Sequence, residues 1–375
     1  MQFRDLKKQY EILKPEIDAG IQGVINSTSF ILGKPVGELE EELAKYVGRK
    51  HCVACANGTD ALVLALKAHN TGSGDAVFVP DFTYIASASC ASLVNATPVF
   101  VDIDLNTFSM NVKALAAAIE RIISEGKLTP KVIVPVDLFG LPANYAEIEN
   151  IAKKYNLLIL EDAAQGFGGS INGKRTCSFG NISATSFFPA KPLGCYGDGG
   201  AIFTDDDAIN KRLRSIRAGG KSLTDKYDNR EIGYNSRLDT IQAAILLPKF
   251  RAFAKYEVEN VNKVAQWYTD RLHSHVITPT IPEGYISSWA QYTIRLENRK
   301  QRDKMQTILK EAGIPSMVYY PRGMHQQQVF KDMELCDELY PNTSKATDTV
   351  LSLPMYPYLD EETVDLICKE IINNV

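Results

Sequence analysis

The sequence predicts an α/β protein, with a mostly parallel seven-stranded sheet in a large domain and a smaller α+β domain after it. Short apolar runs rich in Val, Ile, Leu and Phe alternate with helical patterns through the first two-thirds of the chain, the signature of β-α units. After about Pro248 the alternation gives way to a long helical pattern, a proline-containing stretch and a mixed remainder. No internal repeat or long linker intervenes, so residues 1–248 and 249–375 are expected to pack closely around a cleft.

The chain opens on MQFRDLKKQYEILKPEI, a charged helical pattern with neither an apolar signal core nor a small-residue cleavage site. Candidate strands follow at His51–Cys55, Ala76–Pro80, Pro98–Asp102, Val132–Val136, Leu157–Glu161, Ala184–Phe188 and Gly200–Thr204. Between them lie amphipathic helices; Tyr145, Ile148, Ile151, Ala152 and Tyr155 recur at helical spacing and cover one face. Beyond Pro248, helices are expected at Lys255–Leu272 and Glu361–Asn374.

With 375 residues, a formal net charge of -4 and no Lys/Arg-rich block, the chain offers no electrostatic reason to bind nucleic acid. No apolar run approaches membrane-spanning length, and a cytoplasmic location is expected. Seven scattered cysteines read as reduced thiols. Cys52 and Cys55 form a C-x-x-C, but no second ligand pair stands at a familiar spacing, so two small buried strand residues are expected and no metal.

Four segments carry chemistry. LLILEDAAQ is an apolar strand ending in Glu161-Asp162, with Gln165 three residues beyond; in a parallel sheet ligands bind past the carboxyl ends of strands, although an Asp there also serves as a helix cap. In TSFFPAKPLGCYGDGGA, Lys191 lies between Pro189 and Pro192 and among glycines, a constrained segment on which desolvation frees an amine for carbonyl chemistry. Ser186 just before it offers a hydroxyl to a phosphate, or closes a turn. CANGTDAL runs from a strand through Gly58 into a helix opening at Thr59-Asp60, a phosphate-binding helix start or an ordinary cap. In PDFTYIASA, Phe82 or Tyr84 presents a ring that stacks on a flat cofactor or fills the core. A phosphate cradle, a stacking ring, a carboxylate for a pyridine nitrogen and an imine-forming lysine together are what pyridoxal 5'-phosphate (PLP) requires.

LEDAAQ, SFFPAKPLG, GDGGA and NSRLDTIQAA, in this order, resemble the DegT/DnrJ/EryC1/StrS family of PLP-dependent nucleotide-sugar aminotransferases. The resemblance runs from FRDLKKQY to SLPMYPYLD. It implies the PLP-dependent transferase fold type I and a homodimer with shared active sites. It also implies Lys191 as the Schiff-base lysine, Asp162 on the pyridine nitrogen, Gln165 on the ring hydroxyl and Tyr84 as the stacking ring. Gly58, Thr59, Asp60 and Ser186 would hold the phosphate, joined by Asn235 of the neighbouring subunit. A lysine at 191 speaks against the sugar-dehydrating branch, which has histidine there.

CANGTDAL, TSFFPAKPLGCYGDGGAIFT, NSRLDTIQAAILLPK and WAQYTIRL resemble aminotransferases acting on UDP-2-acetamido-2-deoxy-3-oxo-glucuronate in bacterial O-antigen biosynthesis, with L-glutamate the expected donor. Arg237 would then pair with the substrate carboxylate, as its fork geometry suits, or serve a structural salt bridge. VYYPRGMHQQ departs from the usual His-Tyr-Pro: Tyr319 stands at the histidine position and Tyr320 keeps the aromatic, both on the expected substrate side. UDP-3-oxo-N-acetylglucosamine is the alternative substrate, and a PLP-binding regulatory protein the non-catalytic alternative.

Overall fold

The computed structural model describes residues 1–375 apart from Leu223 and Lys226. Helix α1 (Leu6–Ser27) starts where the Asp5 carboxylate accepts the Lys8 N–H at 2.9 Å, and α2 (Lys34–Val47) ends at Gly48 in the left-handed region. Then come β1 (His51–Cys55), α3 (Gly58–Ala68), β2 (Asp75–Pro80), α4 (Ile85–Leu93), β3 (Thr97–Val101), α5 (Val112–Glu125), β4 (Thr129–Ile133), α6 (Tyr145–Tyr155) and β5 (Leu158–Asp162). Two short strands, β6 (Ser170–Ile171) and β7 (Lys174–Arg175), precede β8 (Ile182–Ser186), β9 (Gly200–Thr204) and α7 (Asp207–Ile216).

Seven strands form one sheet in the order β1-β9-β8-β5-β4-β2-β3. Only β9 runs against its neighbours, pairing antiparallel with β1 and β8; the remaining pairs are parallel. Helices cover both faces, which is why the strands read as nearly continuous apolar runs. One face packs on α3 and α4, the other on α2, α5 and α6 in two clusters. The α/β class and the seven strands agree with the sequence reading; β2, β3 and β5 differ from it by one residue, and two strands shift further. Hydrogen bonding on β4 begins at Thr129, where Thr129 N–H meets Gly74 O, and its ladder stops short of Pro135, which has no N–H to give. β8 likewise begins two residues early, at Ile182, and ends at Ser186.

The second helical stretch is longer than expected. α8 (Thr240–Ala252) passes through a π turn at Phe253–Glu257 into α9 (Val258–Leu272), with Pro248 inside α8. α8 lies along α1, where a Cβ on Gly20 would stand 3.0 Å from Ala244 O; this close packing outweighs the roughly 3 kcal/mol that an interior proline costs. After β10 (Tyr285–Ile286), the ribbon of β11 (Tyr292–Arg295) and β12 (Val350–Leu353) packs with α9, α10 (Arg299–Glu311) and α12 (Glu361–Ile372) into a separate cluster, α11 (Pro341–Thr349) leading into β12. Among the described residues no helix is long and apolar enough to cross a membrane.

Candidate active site

The parallel strands direct their carboxyl ends to one edge of the sheet, where β1, β2, β5 and β8 deliver the turns singled out above. At the end of β1, the Asn57 side chain accepts the Asp60 N–H at 2.8 Å and opens α3 at Gly58. A Cβ on Gly58 would lie 2.6 Å from the Cβ of Ser186, so only glycine lets the helix start and the end of β8 meet. Gly58, Thr59, Asp60 and Ser186 therefore converge on one corner, and Ser186 Oγ also accepts the Phe188 N–H at 3.2 Å.

Asp162 ends β5, buried. Its Oδ2 accepts from Ser87 Oγ at 2.7 Å and its Oδ1 from Ala164 N at 3.1 Å, while Thr83 and Ser87 hydroxyls share a bond of 3.0 Å. Burial pushes its carboxyl above the usual range, opposed by the Ser87 and Ala164 bonds and the charge of Lys191. Lys191 sits in a tight loop: its N–H reaches Phe188 O at 2.9 Å, and Cys195 N–H reaches Phe187 O at 2.8 Å. A Cβ on Gly194 would stand 2.5 Å from Pro189 O, so the loop closes only on glycine. Desolvation holds the Lys191 amine below the usual lysine range; Asp162 opposes this and the Arg4 guanidinium adds to it.

The aromatic alternatives separate. Phe82 is fully buried among Phe108, Phe139 and Tyr320, whereas Tyr84 is 53% exposed, its ring 6.4 Å from that of Tyr320. Gln165 bridges two elements: its Oε1 accepts Phe139 N–H at 2.8 Å and its Nε2 donates to the Tyr320 hydroxyl at 3.1 Å, which leaves one amide N–H free for a ligand. Burial raises the Tyr320 phenol, and Tyr319 packs edge-on against it with centroids 5.7 Å apart. Asn235 and Arg237 flank Ser236, whose hydroxyl accepts the Ala56 N–H at 3.2 Å, two residues before Gly58. Asn235 is exposed, Arg237 partly so, and among the described residues neither side chain has a hydrogen bond or ion pair.

Three contributors escaped the sequence reading: Ser87, Phe139 and Arg4. Ser87 stands three residues after Tyr84 on α4 and carries no local mark, because its partner Asp162 lies 75 residues further along the chain. Phe139 contributes only a backbone N–H, invisible in sequence. Cys52 and Cys55 are both buried on β1 but enter different clusters, on opposite faces of the sheet. Among the described residues no group of three or more His, Cys, Asp or Glu is placed to hold a metal ion.

Comparison with known proteins bears on the same site. A relative from Pseudomonas aeruginosa, a UDP-2-acetamido-2-deoxy-3-oxo-D-glucuronate aminotransferase, is 45% identical over 376 residues and all of both chains. A UDP-N-acetyl-3-dehydro-alpha-D-glucosamine 3-aminotransferase from Acidithiobacillus ferrooxidans is 41% identical, covering 98% of this chain and 96% of its own. The crystal structure of a DegT DnrJ EryC1 StrS aminotransferase from Brucella abortus superposes with a TM-score of 0.96 at 46% identity, over 99% of this chain and 98% of the other. The family model describing the DegT/DnrJ/EryC1/StrS aminotransferases matches residues 11–372, so that sheet edge, lysine loop and buried carboxylate are carried by a member of the DegT/DnrJ/EryC1/StrS aminotransferase family.

Proposed function

We propose that this aminotransferase uses PLP to convert UDP-2-acetamido-2-deoxy-3-oxo-glucuronate to the corresponding amino sugar, with L-glutamate as donor. The observation that carries this reading is the Lys191 amine: desolvated, held on a loop pinned by two prolines, without a hydrogen bond or ion pair among the described residues, and within electrostatic reach of buried Asp162. The remaining residues suit PLP. Gly58 leaves room at a helix start beside Ser186, and Asp162 is a buried carboxylate whose raised pKa calls for a cation such as a protonated ring nitrogen.

When bound, PLP supplies an aldehyde that captures amines and a ring that accepts the electron pair left on the substrate carbon. Lys191 would then be the group that takes up and returns the proton at the substrate carbon, and its depressed pKa keeps more of the amine neutral and able to accept one. Asp162, aimed by Ser87, would hold the ring nitrogen protonated, and Gln165, whose second amide N–H is unused, would hold the ring hydroxyl. Tyr84 would stack on the ring, while Thr59, Asp60 and Ser186 would hold the phosphate. Arg237 takes the sugar carboxylate, and Tyr319 and Tyr320 line the sugar side.

The same reading makes the protein a homodimer in which Asn235 reaches the partner's phosphate. Exposed Phe30, Ile31, Leu32, Phe188 and Ile232 support it, since residues 30 and 31 bond to 240 and 239 close to Arg237. It divides the chain at about residue 248 and places the enzyme in the cytoplasm, in surface-polysaccharide synthesis.

The test uses purified protein. It should be yellow, lose that colour on adding L-glutamate, and carry a reduced cofactor on Lys191 after borohydride treatment. Lys191→Ala should reduce transamination by roughly a thousandfold or more. Colourless protein with Lys191 unmodified would end the proposal, and colour without transamination would leave the regulatory alternative. Arg237→Leu should raise KM for the 3-oxo-glucuronate and leave that for UDP-3-oxo-N-acetylglucosamine unchanged.

A further inference from the structure

Arg4 lies just before α1, outside every turn that forms the sheet-edge site. Its Nη2 donates to the carbonyl of Pro192, the residue that follows Lys191, at 3.1 Å. On the same stretch, the Phe3 ring packs edge-on against Tyr319, centroids 6.2 Å apart, and Phe3 O accepts the Met355 N–H at 3.2 Å. Two further bonds anchor the start of α1: Lys8 Nζ to Tyr358 O at 2.9 Å and Gln9 Nε2 to Glu257 Oε1 at 2.8 Å. Residues 3–9 thus touch the lysine loop on one side and the Tyr319 segment on the other.

We propose that Arg4 is a positioning residue for Lys191: its guanidinium clamps the loop at Pro192 while Phe3 seats Tyr319, so this short stretch sets the lysine loop and the substrate segment against each other. The assignment rests on the PLP reading of Lys191.

The energetics favour a role beyond packing. Burial brings the Arg4 guanidinium down to about 10, with the Glu257 carboxylate opposing, and a single backbone carbonyl is its one hydrogen-bond partner among the described residues. Arg4 is part-buried, so its remaining N–H groups reach the surface, and the bond to Pro192 O fixes only the end of the guanidinium that meets the lysine loop. What the charge adds is its effect on the amine. The charged groups acting on Lys191 are Asp162, which favours the ammonium, and Arg4, which disfavours it; Arg4 in turn faces Glu257 and adds to the burial that pushes Lys249 down to about 8. The clamp therefore fixes the loop and, behind desolvation as the larger cause, also lowers the proton affinity of the reactive nitrogen.

The experiment is a pH titration of the visible absorbance of full-length holoenzyme, comparing wild type with Arg4→Met and Arg4→Lys. Arg4→Met keeps the apolar stem and removes the charge, and its colour midpoint should move up by roughly one pH unit. Arg4→Lys should restore the wild-type midpoint to within about 0.3 unit. A packing role alone would lower the melting temperature and leave the midpoint in place, so an unmoved midpoint in folded Arg4→Met overturns the proposal while the PLP reading stands. Should Arg4→Met not fold, Arg4→Gln, which also removes the charge and keeps a side-chain N–H, takes its place in the same titration of the holoenzyme, and an unmoved midpoint in that folded variant overturns the proposal. Absence of colour with no borohydride labelling of Lys191 removes the PLP reading and this inference with it.

Discussion

Glu161 and Asp162 are neighbours at the end of β5, both carboxylates, both buried, and they face opposite sides of the sheet. The Glu161 side is closed. Its oxygens accept from Cys177 N at 2.6 Å, Phe179 N at 2.8 Å and Ser183 Oγ at 2.8 Å, all from the chain that follows β5. The Asp162 side is open: two short bonds, then the lysine loop and a sheet edge built of turns. A buried carboxylate with its lone pairs filled by its own chain is a fold element, and one left with spare acceptor capacity beside a cation is a place for a ligand.

That contrast can be broken at three points. Asp162→Asn should cut kcat/KM by roughly a thousandfold, because an amide cannot hold a ring nitrogen charged, while the melting temperature moves by no more than about 3 °C. Loss of fold in place of loss of activity would make Asp162 structural like its neighbour. Gly58→Ala comes next. Its Cβ would have to push Ser186 away from 2.6 Å, so PLP affinity should fall by roughly tenfold or more in an equilibrium titration; unchanged affinity would remove that corner from the phosphate site.

Glu161→Gln is the smallest in activity, within about twofold per folded molecule, and sharpens the comparison through stability. Burial pushes the Glu161 carboxyl from 4.5 up to about 7, and Asp137 beside it is raised as well. The folded state therefore binds protons that the unfolded chain has released. The stability that the Glu161 proton contributes is fully present below about pH 4.5 and is lost as pH rises through about 7. Urea midpoints of the wild type should fall across that window, and those of Glu161→Gln should fall less steeply. An equal slope would place the bound proton elsewhere.

Legibility follows the same division. Strands β1, β5 and β9 could be read nearly to the residue, because apolar runs bounded by turns are local signals. Lys191 between prolines, Asp162 at a strand end and Gly58 before a helix were legible for the same reason. β4 was misplaced by three residues because its limits depend on β2 and Gly74 beside it and on Pro135, and the helix through Pro248 was misread because α1 packs along it. Ser87 and Arg4 gave no local signal: one bonds across 75 residues and the other across 188.

Periodicity, turn chemistry and a few constrained residue types thus determined the α/β class, the strand sequence and the residues most exposed to chemistry, since all of these are set within a few residues of chain. Which ring is buried, whose carboxylate is left open and which cation stands behind the lysine were decided only when distant segments met. Burial and charge are properties of the surroundings, and for Phe82 and Tyr84, Glu161 and Asp162, or Arg4 and Lys191, those surroundings come from elsewhere in the chain.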